Sequence, residues 1–228
     1  MAILSLDNSL TIVIIIFTVK PEQQQELIDI LQEFLNVLKT YPGFVSANLH
    51  KSLDGVKVAN YAQWESVEAF ETFINDAVIF EKFIQNASDK VEATKLFEFD
   101  PPDSHVYEIV ASESKVGTPE IKVGEYIVHF AEFSMQPENQ PRMVELAIEH
   151  LKPAMEQAGL ISATFHRSLD GTRVINYGQW TDSQAIEELV KEPGFGKDEP
   201  YWQGVADNEY HLYQVVYTVE SELKKQVI

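Results

Sequence analysis

An internal repeat constrains the fold of this chain more than any other feature of its sequence. The segment from Gly43 to Trp64 returns, with nearly the same pattern of residues, as the segment from Gly159 to Trp180. The two ends of the segment are each displaced by 116 residues (159 − 43 and 180 − 64), so the register is constant. A period of this length indicates two copies of one compact fold, because solenoid repeats run to about 20–50 residues.

The repeat divides the 228 residues into two domains of similar size. We predict a first domain over residues 1–112, a linker rich in Ser, Gly and Pro over 113–125, and a second domain over 126–228. The apolar content of 45% and the charged content of 23% are typical of a globular chain. Each half is long enough to bury a modest core of its own.

Charge and composition exclude several classes of function. The formal net charge of −19 argues against nucleic acid and membrane surfaces as partners, since both repel an acidic protein. The absence of cysteine excludes disulfides, thiol nucleophiles and zinc–thiolate sites. The apolar run from Leu10 to Phe17 is shorter than the roughly 20 residues of a membrane span, and no Lys or Arg precedes it. We read it as a buried strand and expect a cytoplasmic location.

Hydrophobic periodicity and turn signals give the same element order in both halves. The first half is predicted to contain a strand at 11–19, a helix from Pro21 to Pro42, a hairpin at 45–51 and 56–64, helical segments at 66–74 and 78–87, and a strand at 107–110. The second half is predicted to contain a strand at 127–133, a helix at 137–158, a hairpin at 161–180, a helix at 183–190 and a strand at 212–219. Pro153 is expected to kink or divide the second long helix.

This β-α-β-β-α-β order is that of the ferredoxin-like fold. The helices cover one face of each sheet, and the strands are apolar on both faces, so the second face also needs a cover. We therefore predict an α+β protein in which two ferredoxin-like domains pack sheet to sheet as an intramolecular dimeric α/β barrel. In solution the chain is expected to be a monomer with an internal pseudo-dimer, or a homodimer of such pseudo-dimers.

Strand alternation sorts the first hairpin into two faces. Asn60 and Trp64 share the more apolar face, which we assign to the helices, and a turn with an even number of residues would add Val45, Ala47 and Leu49 to it. Tyr61, Asn48 and His50 share the other face, which we assign to the centre of the barrel. A buried amide needs hydrogen-bond partners. Asn60 and Asn176 therefore either tie down a neighbouring loop or orient a ligand oxygen against an indole.

The motifs Pro-Gly-Phe-x-Ser-Ala (42–47), Ser-Leu-Asp-Gly (52–55) and Asn-Tyr-x-Gln-Trp (60–64), set within β-α-β-β-α-β, resemble the antibiotic biosynthesis monooxygenase domain of the dimeric α/β-barrel superfamily. The resemblance covers nearly all of both halves. Members that oxidise anthrones without a cofactor carry an active-site Asn and Trp at this spacing. The resemblance thus implies catalytic roles for Asn60, Trp64, Asn176 and Trp180, and it implies that no cofactor is needed.

The chain departs from the family pattern at two further positions. The family has a Tyr six residues after the Trp, where this chain has Phe70 and Ile186, and an Arg farther along, where it has Ile84 and Pro200. Haem-degrading relatives use an Asn, a Trp and a His at positions that here fall near Ile15 and at Phe73 and Phe83. These side chains cannot ligate or steer iron, so haem degradation is disfavoured.

Five further residues are candidates for substrate binding: His50, Tyr61, Phe70, His166 and Tyr177. The two histidines recur at equivalent places and are either capped side chains or proton carriers that meet the tyrosines in the barrel centre, since an ordinary histidine pKa lies near 6.5. The other histidines, at 105, 129, 150 and 211, show no ligand spacing, so no metal site is expected.

Two functions follow from this pattern. The first is a cofactor-independent monooxygenase acting on a small aromatic molecule such as a phenol, an anthrone or a quinol. The alternative is a non-enzymatic module that binds small molecules or serves a stress response. The halves are not expected to be functional equals, because Tyr107 matches Tyr213 at an offset of only 106 and the second half is therefore ten residues shorter before its last strand.

Overall fold

A computed structural model describes residues 2–87, 89–192, 194–195 and 200–223. The strands are β1 (Thr11–Thr18), β2 (Phe44–Ser52), β3 (Lys57–Trp64), β4 (Asp103–Ser114), β5 (Ile127–Ser134), β6 (Leu160–Ser168), β7 (Arg173–Trp180) and β8 (Asp207–Glu220). The helices are α1 (Gln24–Leu38), α2 (Val67–Ile74), α3 (Ala77–Asn86), α4 (Lys90–Thr94), α5 (Gln140–Met155) and α6 (Ser183–Leu189). Short 3-10 turns precede α1 and α5, at Pro21–Gln23 and Pro137–Asn139.

The strands follow the hydrogen-bonded order β1-β3-β2-β8-β5-β7-β6-β4, which closes into a barrel. The predicted fold class, an α+β protein with two ferredoxin-like repeats forming a barrel, is confirmed. None of the helices in the described part of the chain has the length and apolarity that crossing a bilayer requires.

The chain forms two compact units. One unit contains Ser9–Ser104 and the end of β8 from Val216, and the other contains Ile3–Asn8 and His105–Val215. Most of β4 therefore belongs with the second unit, where it pairs antiparallel with β6 from Tyr107 opposite Ser168 to Ser114 opposite Ser162. The N-terminal segment joins the same unit, because Leu4 N–H donates to Pro119 O at 2.9 Å.

The register of each hairpin confirms most of the predicted faces. Asn60 lies opposite Leu49 and Ala62 opposite Ala47, so these four side chains share a face. A bulge between Phe44 and Ser46 then shifts the pairing by one residue. The prediction was wrong at Val45, because the bulge brings Phe44 opposite Trp64 instead. The second hairpin has the same bulge between Leu160 and Ser162, with Leu160 opposite Trp180.

A buried glutamine fixes the start of each long helix to the base of its hairpin. The amide nitrogen of Gln24 donates to Ser52 O at 3.0 Å and to Lys57 O at 2.9 Å. Gln140 makes the matching bonds to Ser168 O at 2.8 Å and Arg173 O at 2.9 Å. Each amide bonds to two backbone carbonyls at the end of its hairpin, so the helix and the hairpin are held in one register.

Gly43 and Gly159 show why a glycine opens each hairpin. Both have positive φ, 79° and 82°. A Cβ on either glycine would lie 2.5 Å from the Cβ of Ala69 or Ala185 at the start of the following helix. Positive φ and this close approach both require glycine.

Two helical features differ from the predictions. The helix α5 continues through Pro153 to Met155, so the proline does not divide it. Pro153 lies in the last turn, where little helix remains to be disrupted. The short helix α4, at Lys90–Thr94, was not predicted.

Candidate functional site

A cavity of about 550 Å³ lies in the second unit, within the second repeat. We call it the second-repeat cavity. Its wall comes from β5 to β8, from α5 and α6, and from the segment before β8. The described lining residues are His129, Ala131, Phe133, His150, Leu151, Ala154, Leu160, Ala163, Phe165, Asn176, Trp180, Leu189, Val190, Phe195, Pro200, Tyr201, Trp202, Asn208 and Tyr210.

Asn176 and Trp180 of β7 both line this cavity, as strand alternation predicts for residues four apart. The side-chain oxygen Oδ1 of Asn176 and the indole nitrogen Nε1 of Trp180 are buried and have no hydrogen-bond partner among the described residues. Leaving a buried polar group unpaired costs about 1–3 kcal/mol, and native structures rarely leave such groups unexplained. A bound ligand with hydrogen-bonding groups would supply the missing partners.

His129 of β5 adds a third polar group to the same wall. It lies opposite Gly178, between Asn176 and Trp180. Its Nδ1 atom is buried and likewise bonds to nothing in the described part of the chain. Burial lowers the pKa of His129 to about 4, so its ring is neutral at physiological pH.

The three polar residues converge around Gly178. A Cβ built on this glycine would lie 2.9 Å from Trp180 Nε1 and 3.7 Å from His129 Cβ. The indole nitrogen therefore occupies the space that a side chain at position 178 would need. Gly178 therefore leaves the room that the indole of Trp180 occupies.

Aromatic side chains form the opposite part of the cavity wall. The His150 ring stacks on Tyr201 with 4.4 Å between ring centroids, and its Nδ1–H donates to Leu146 O at 2.8 Å. Burial raises the pKa of the Tyr201 phenol, so it stays protonated. Trp202 packs edge-on against Phe133 at 5.4 Å. This wall suits a flat, apolar ligand with a few polar atoms.

The equivalent space in the first repeat is filled with aromatic rings. Trp64 stacks on Phe73 at 4.9 Å between centroids and contacts Phe44 at 5.5 Å and Phe70 at 5.6 Å. Phe34 of α1 meets Phe83 of α3 at 5.2 Å, edge to face. Asn60 Oδ1 is also buried without a hydrogen-bond partner in the described residues. The structure thus places Phe70, a predicted substrate-binding residue, inside a packed core.

The other predicted binding residues lie away from the second-repeat cavity. His50, Tyr61, His166 and Tyr177 are fully buried, and their backbone positions put them on the opposite face of the hairpins from Asn60 and Asn176. His50 Nδ1–H donates to Asn48 O at 3.0 Å. Burial lowers the pKa of His50 and of His166 to about 4. The described lining of the cavity includes none of the four.

Among the lining residues that were not predicted as site residues are His129, His150, Tyr201 and Trp202. The signal for the two histidines lies in the repeat itself, because at an offset of 116 they replace Val13 and Phe34. A histidine that replaces an apolar core residue in only one copy points to a local function there. The segment with Tyr201 and Trp202 lies where the repeat alignment breaks down, so no such comparison finds it.

The described lining of the cavity contains no Lys, Arg, Asp or Glu. No group of three or more His, Asp or Glu side chains in the described part of the chain is arranged to hold a metal ion. Hydrogen bonding and ring packing are therefore what the described wall offers a ligand.

The fold is that of the dimeric α/β-barrel class, and its second repeat contains a cavity of about 550 Å³. The family model described as antibiotic biosynthesis monooxygenase matches residues 11–78 and 126–197, once in each repeat. The chain therefore belongs to the antibiotic biosynthesis monooxygenase family.

Three known proteins are similar to this chain. The tetracenomycin-F1 monooxygenase of Streptomyces glaucescens is 42% identical over 77 residues, which are 33% of this chain and 69% of the relative. The crystal structure of an anthrone oxidase-like protein matches with a TM-score of 0.78 and 22% identity over 97% of both chains. A structure described as a major regulator of staphylococcal pathogenesis matches with a TM-score of 0.52 and 11% identity, over 91% of this chain and 99% of the other. The two structural matches show the shared fold.

Proposed function

We propose that this chain is a cofactor-independent monooxygenase that oxidises a small phenol, anthrone or quinol in the second-repeat cavity. The observation that carries the proposal is the set of buried polar atoms, on Asn176, Trp180 and His129, that lack partners among the described residues and belong to one apolar cavity. Family membership and the likeness to tetracenomycin-F1 monooxygenase support this reaction class.

In the proposed reaction the substrate supplies its own electrons. Loss of a proton gives a delocalised anion, which reduces dioxygen. One oxygen atom enters the product as a carbonyl, as when an anthrone CH₂ becomes a quinone C=O, and the other leaves as water. The atoms balance without an external reductant, because R₂CH₂ and O₂ give R₂C=O and H₂O.

Asn176 and Trp180 would stabilise the anion. The indole N–H of Trp180 and the Nδ2–H of Asn176 are donors, and donors held in place around a developing oxyanion lower the barrier most when water is excluded. The unpaired Oδ1 of Asn176 is an acceptor and would take a hydrogen bond from a second hydroxyl of the substrate. The indole ring also offers a flat surface for the aromatic substrate. Removing one such donor typically lowers kcat by about 10²–10³-fold.

The proposal is tested by oxygen uptake with 1,8-dihydroxyanthrone at neutral pH. We expect quinone formation with one O₂ consumed per product, without added metal or cofactor, and no product under nitrogen. Turnover at the same rate under nitrogen would refute an oxygenase, since dioxygen is then not the oxidant.

A binding module is the second candidate function. It is favoured by Ile186, which stands at the position of the family's phenol and belongs, with Trp180, to the apolar core of the second repeat. The shared fold with a structure described as a regulator is compatible with this alternative. Tight anthrone binding with no oxygen uptake would identify a binding module.

We extend the proposal to the cellular location and the oligomeric state of the protein. We expect the protein to act in the cytoplasm, as a monomer with an internal pseudo-dimer or as a homodimer of such pseudo-dimers. Light scattering after size-exclusion chromatography distinguishes the two assemblies, since the chain mass is 25.9 kDa.

A further inference from the structure

We propose that His129 is the catalytic base that removes the substrate proton in the second-repeat cavity. This inference rests on the proposed monooxygenase function and names a residue that the family resemblance does not supply. In the proposed step a substrate O–H or C–H bond breaks, the proton bonds to a ring nitrogen of His129, and the electron pair stays on the substrate as a delocalised anion.

The position of His129 in the sheet supports this role. Its cross-strand partner is Gly178, so its two diagonal neighbours on the same face are Asn176 and Trp180. A ligand oxygen that accepts hydrogen bonds from those two donors therefore lies within the reach of the imidazole. The base and the anion-stabilising donors then surround one substrate atom, as proton abstraction requires.

The chemistry of the other lining residues narrows the choice of catalytic base. Tyr201 keeps its proton because burial raises its pKa. His150 donates its Nδ1–H to Leu146 O and stacks on Tyr201, and it lies on α5 rather than on a strand beside β7. Within the described lining, His129 is thus the proton acceptor held next to both Asn176 and Trp180.

The first repeat provides an internal comparison. Position 13, which matches 129, is Val, and the space beside Trp64 is filled by Phe73. The copy that lacks the cavity also lacks the histidine. The His129 ring also packs edge-on against Tyr210 of β8 at 5.2 Å between centroids, whereas a fully buried valine fills the matching strand position in the first repeat.

The neutral state of the free imidazole is compatible with this role. Burial keeps the ring unprotonated in the empty cavity, so a lone pair is available. When the substrate loses its proton, the new anion lies beside the imidazolium and stabilises it by Coulomb attraction in a site with little water. The proton can therefore transfer although the free histidine is a weak base.

The test separates proton transfer from oxidation by removing oxygen. With 1,8-dihydroxyanthrone under nitrogen, wild type is expected to bind the ligand and show the red-shifted absorption of its anion, whereas His129→Asn binds it in the neutral form. In air, the rate of His129→Asn is expected to fall about 10²–10³-fold, in line with the loss of a general base. Added imidazole is expected to restore at least a tenth of the wild-type rate to His129→Ala, by filling the vacated space.

His105→Gln is the matched control, because His105 is outside the cavity lining and pairs with Asp170. It is expected to retain the wild-type rate, and circular dichroism checks that every variant is folded. The inference is overturned if His129→Asn still forms the anion and turns over within threefold of wild type. It is equally overturned if imidazole fails to rescue a folded His129→Ala, since His129 then only positions the ligand. Anion formation without oxygen uptake would refute the oxygenase proposal and leave the role of His129 standing.

Discussion

The two repeats share one backbone plan and differ in what fills the space between sheet and helices. In the first repeat that space holds large side chains, and in the second repeat the matching positions hold smaller ones. At an offset of 116, the larger residues Ile15, Leu31, Leu38, Phe70 and Phe73 are replaced by Ala131, Ala147, Ala154, Ile186 and Leu189. Of the smaller residues, Ala131, Ala154 and Leu189 line the cavity, so shorter side chains at matched positions contribute to it, and the first repeat shows the same backbone with that space filled.

The most direct test of this difference between the repeats is to fill the second-repeat cavity with the residues of the first repeat. The double variant Ala131→Ile with Ala154→Leu adds side chains that the frame already accommodates at positions 15 and 38. We expect anthrone binding, followed by quenching of tryptophan fluorescence, to weaken more than about 100-fold, because the added groups occupy the ligand volume.

The reciprocal change is the control. Leu38→Ala removes a side chain that is 3% exposed in the filled repeat, and a loss of about 2–5 kcal/mol in the free energy of unfolding is expected. Ligand affinity should stay within twofold of wild type, measured where the variant is folded. Retained affinity in the double variant would show that the ligand binds elsewhere.

The second prediction compares the two asparagines. Asn176→Ala is expected to lower turnover about 100-fold through loss of a donor to the substrate oxygen, and Asn60→Ala is expected to leave it unchanged. Both variants should remain folded, since neither Oδ1 atom has a hydrogen-bond partner among the described residues. Steady-state kinetics measures the turnover of both variants. Equal losses would mean that both repeats are active.

The third prediction concerns acid stability. Burial lowers the pKa of His129 to about 4, and its pKa in the unfolded chain is near 6.5. The unfolded state therefore takes up a proton more readily, so the stability contributed by the neutral ring is present above about pH 6.5 and is lost as the pH falls toward 4. Between pH 6.5 and 5 this loss amounts to about 1–2 kcal/mol for one histidine.

Replacing His129 by the valine of the first repeat isolates that contribution. Urea unfolding at the two pH values should show a decrease in stability that is smaller in His129→Val by about 1–2 kcal/mol. An identical decrease in both proteins would show that the ring is not held neutral by burial.

The smallest expected effect on ligand affinity comes from the residue midway between the Asn and the Trp. This residue is Ala62 in the first repeat and Gly178 in the second. Gly178→Ala places a Cβ 2.9 Å from Trp180 Nε1, so the indole must shift and ligand affinity should fall about tenfold. Ala62→Gly should leave affinity unchanged and cost about 0.5–1 kcal/mol of stability, as glycine does within a strand. Isothermal calorimetry and urea unfolding measure the two quantities. Unchanged affinity in Gly178→Ala would show that the indole position is not critical.

Much of the fold could be predicted from the sequence, because apolar periodicity and the Asp-Gly turns fix the element order twice over. The pairing of Asn176 with Trp180 on the helix-facing side also follows from strand alternation. The bulge that brings Phe44 opposite Trp64 leaves no mark in the alternation pattern. A bulge adds one residue to one strand, and the hydrophobic residues on both sides of it conceal the shift.

The asymmetry of the site was harder to predict for a different reason. A cavity is a sum of small volume differences from several elements, and each substitution, such as Leu38 against Ala154, is unremarkable by itself. Tyr201 and Trp202 lie in a segment with no counterpart in the other repeat, and their place in the wall depends on tertiary packing. A comparison of side-chain volumes between the repeats would have indicated that the second repeat contains the cavity. It would not have identified the aromatic residues that line it.

The pairing of β4 with β6 limits where the chain could be cut to give a separate fragment. A fragment that begins after residue 114 would carry the whole cavity wall but would leave β6 without the strand that lies along it from Tyr107 to Ser114. An exposed strand edge promotes association with other chains, so such a fragment is prone to aggregate. A transplanted module would need to start near His105 and would still lack the N-terminal segment that bonds to Pro119.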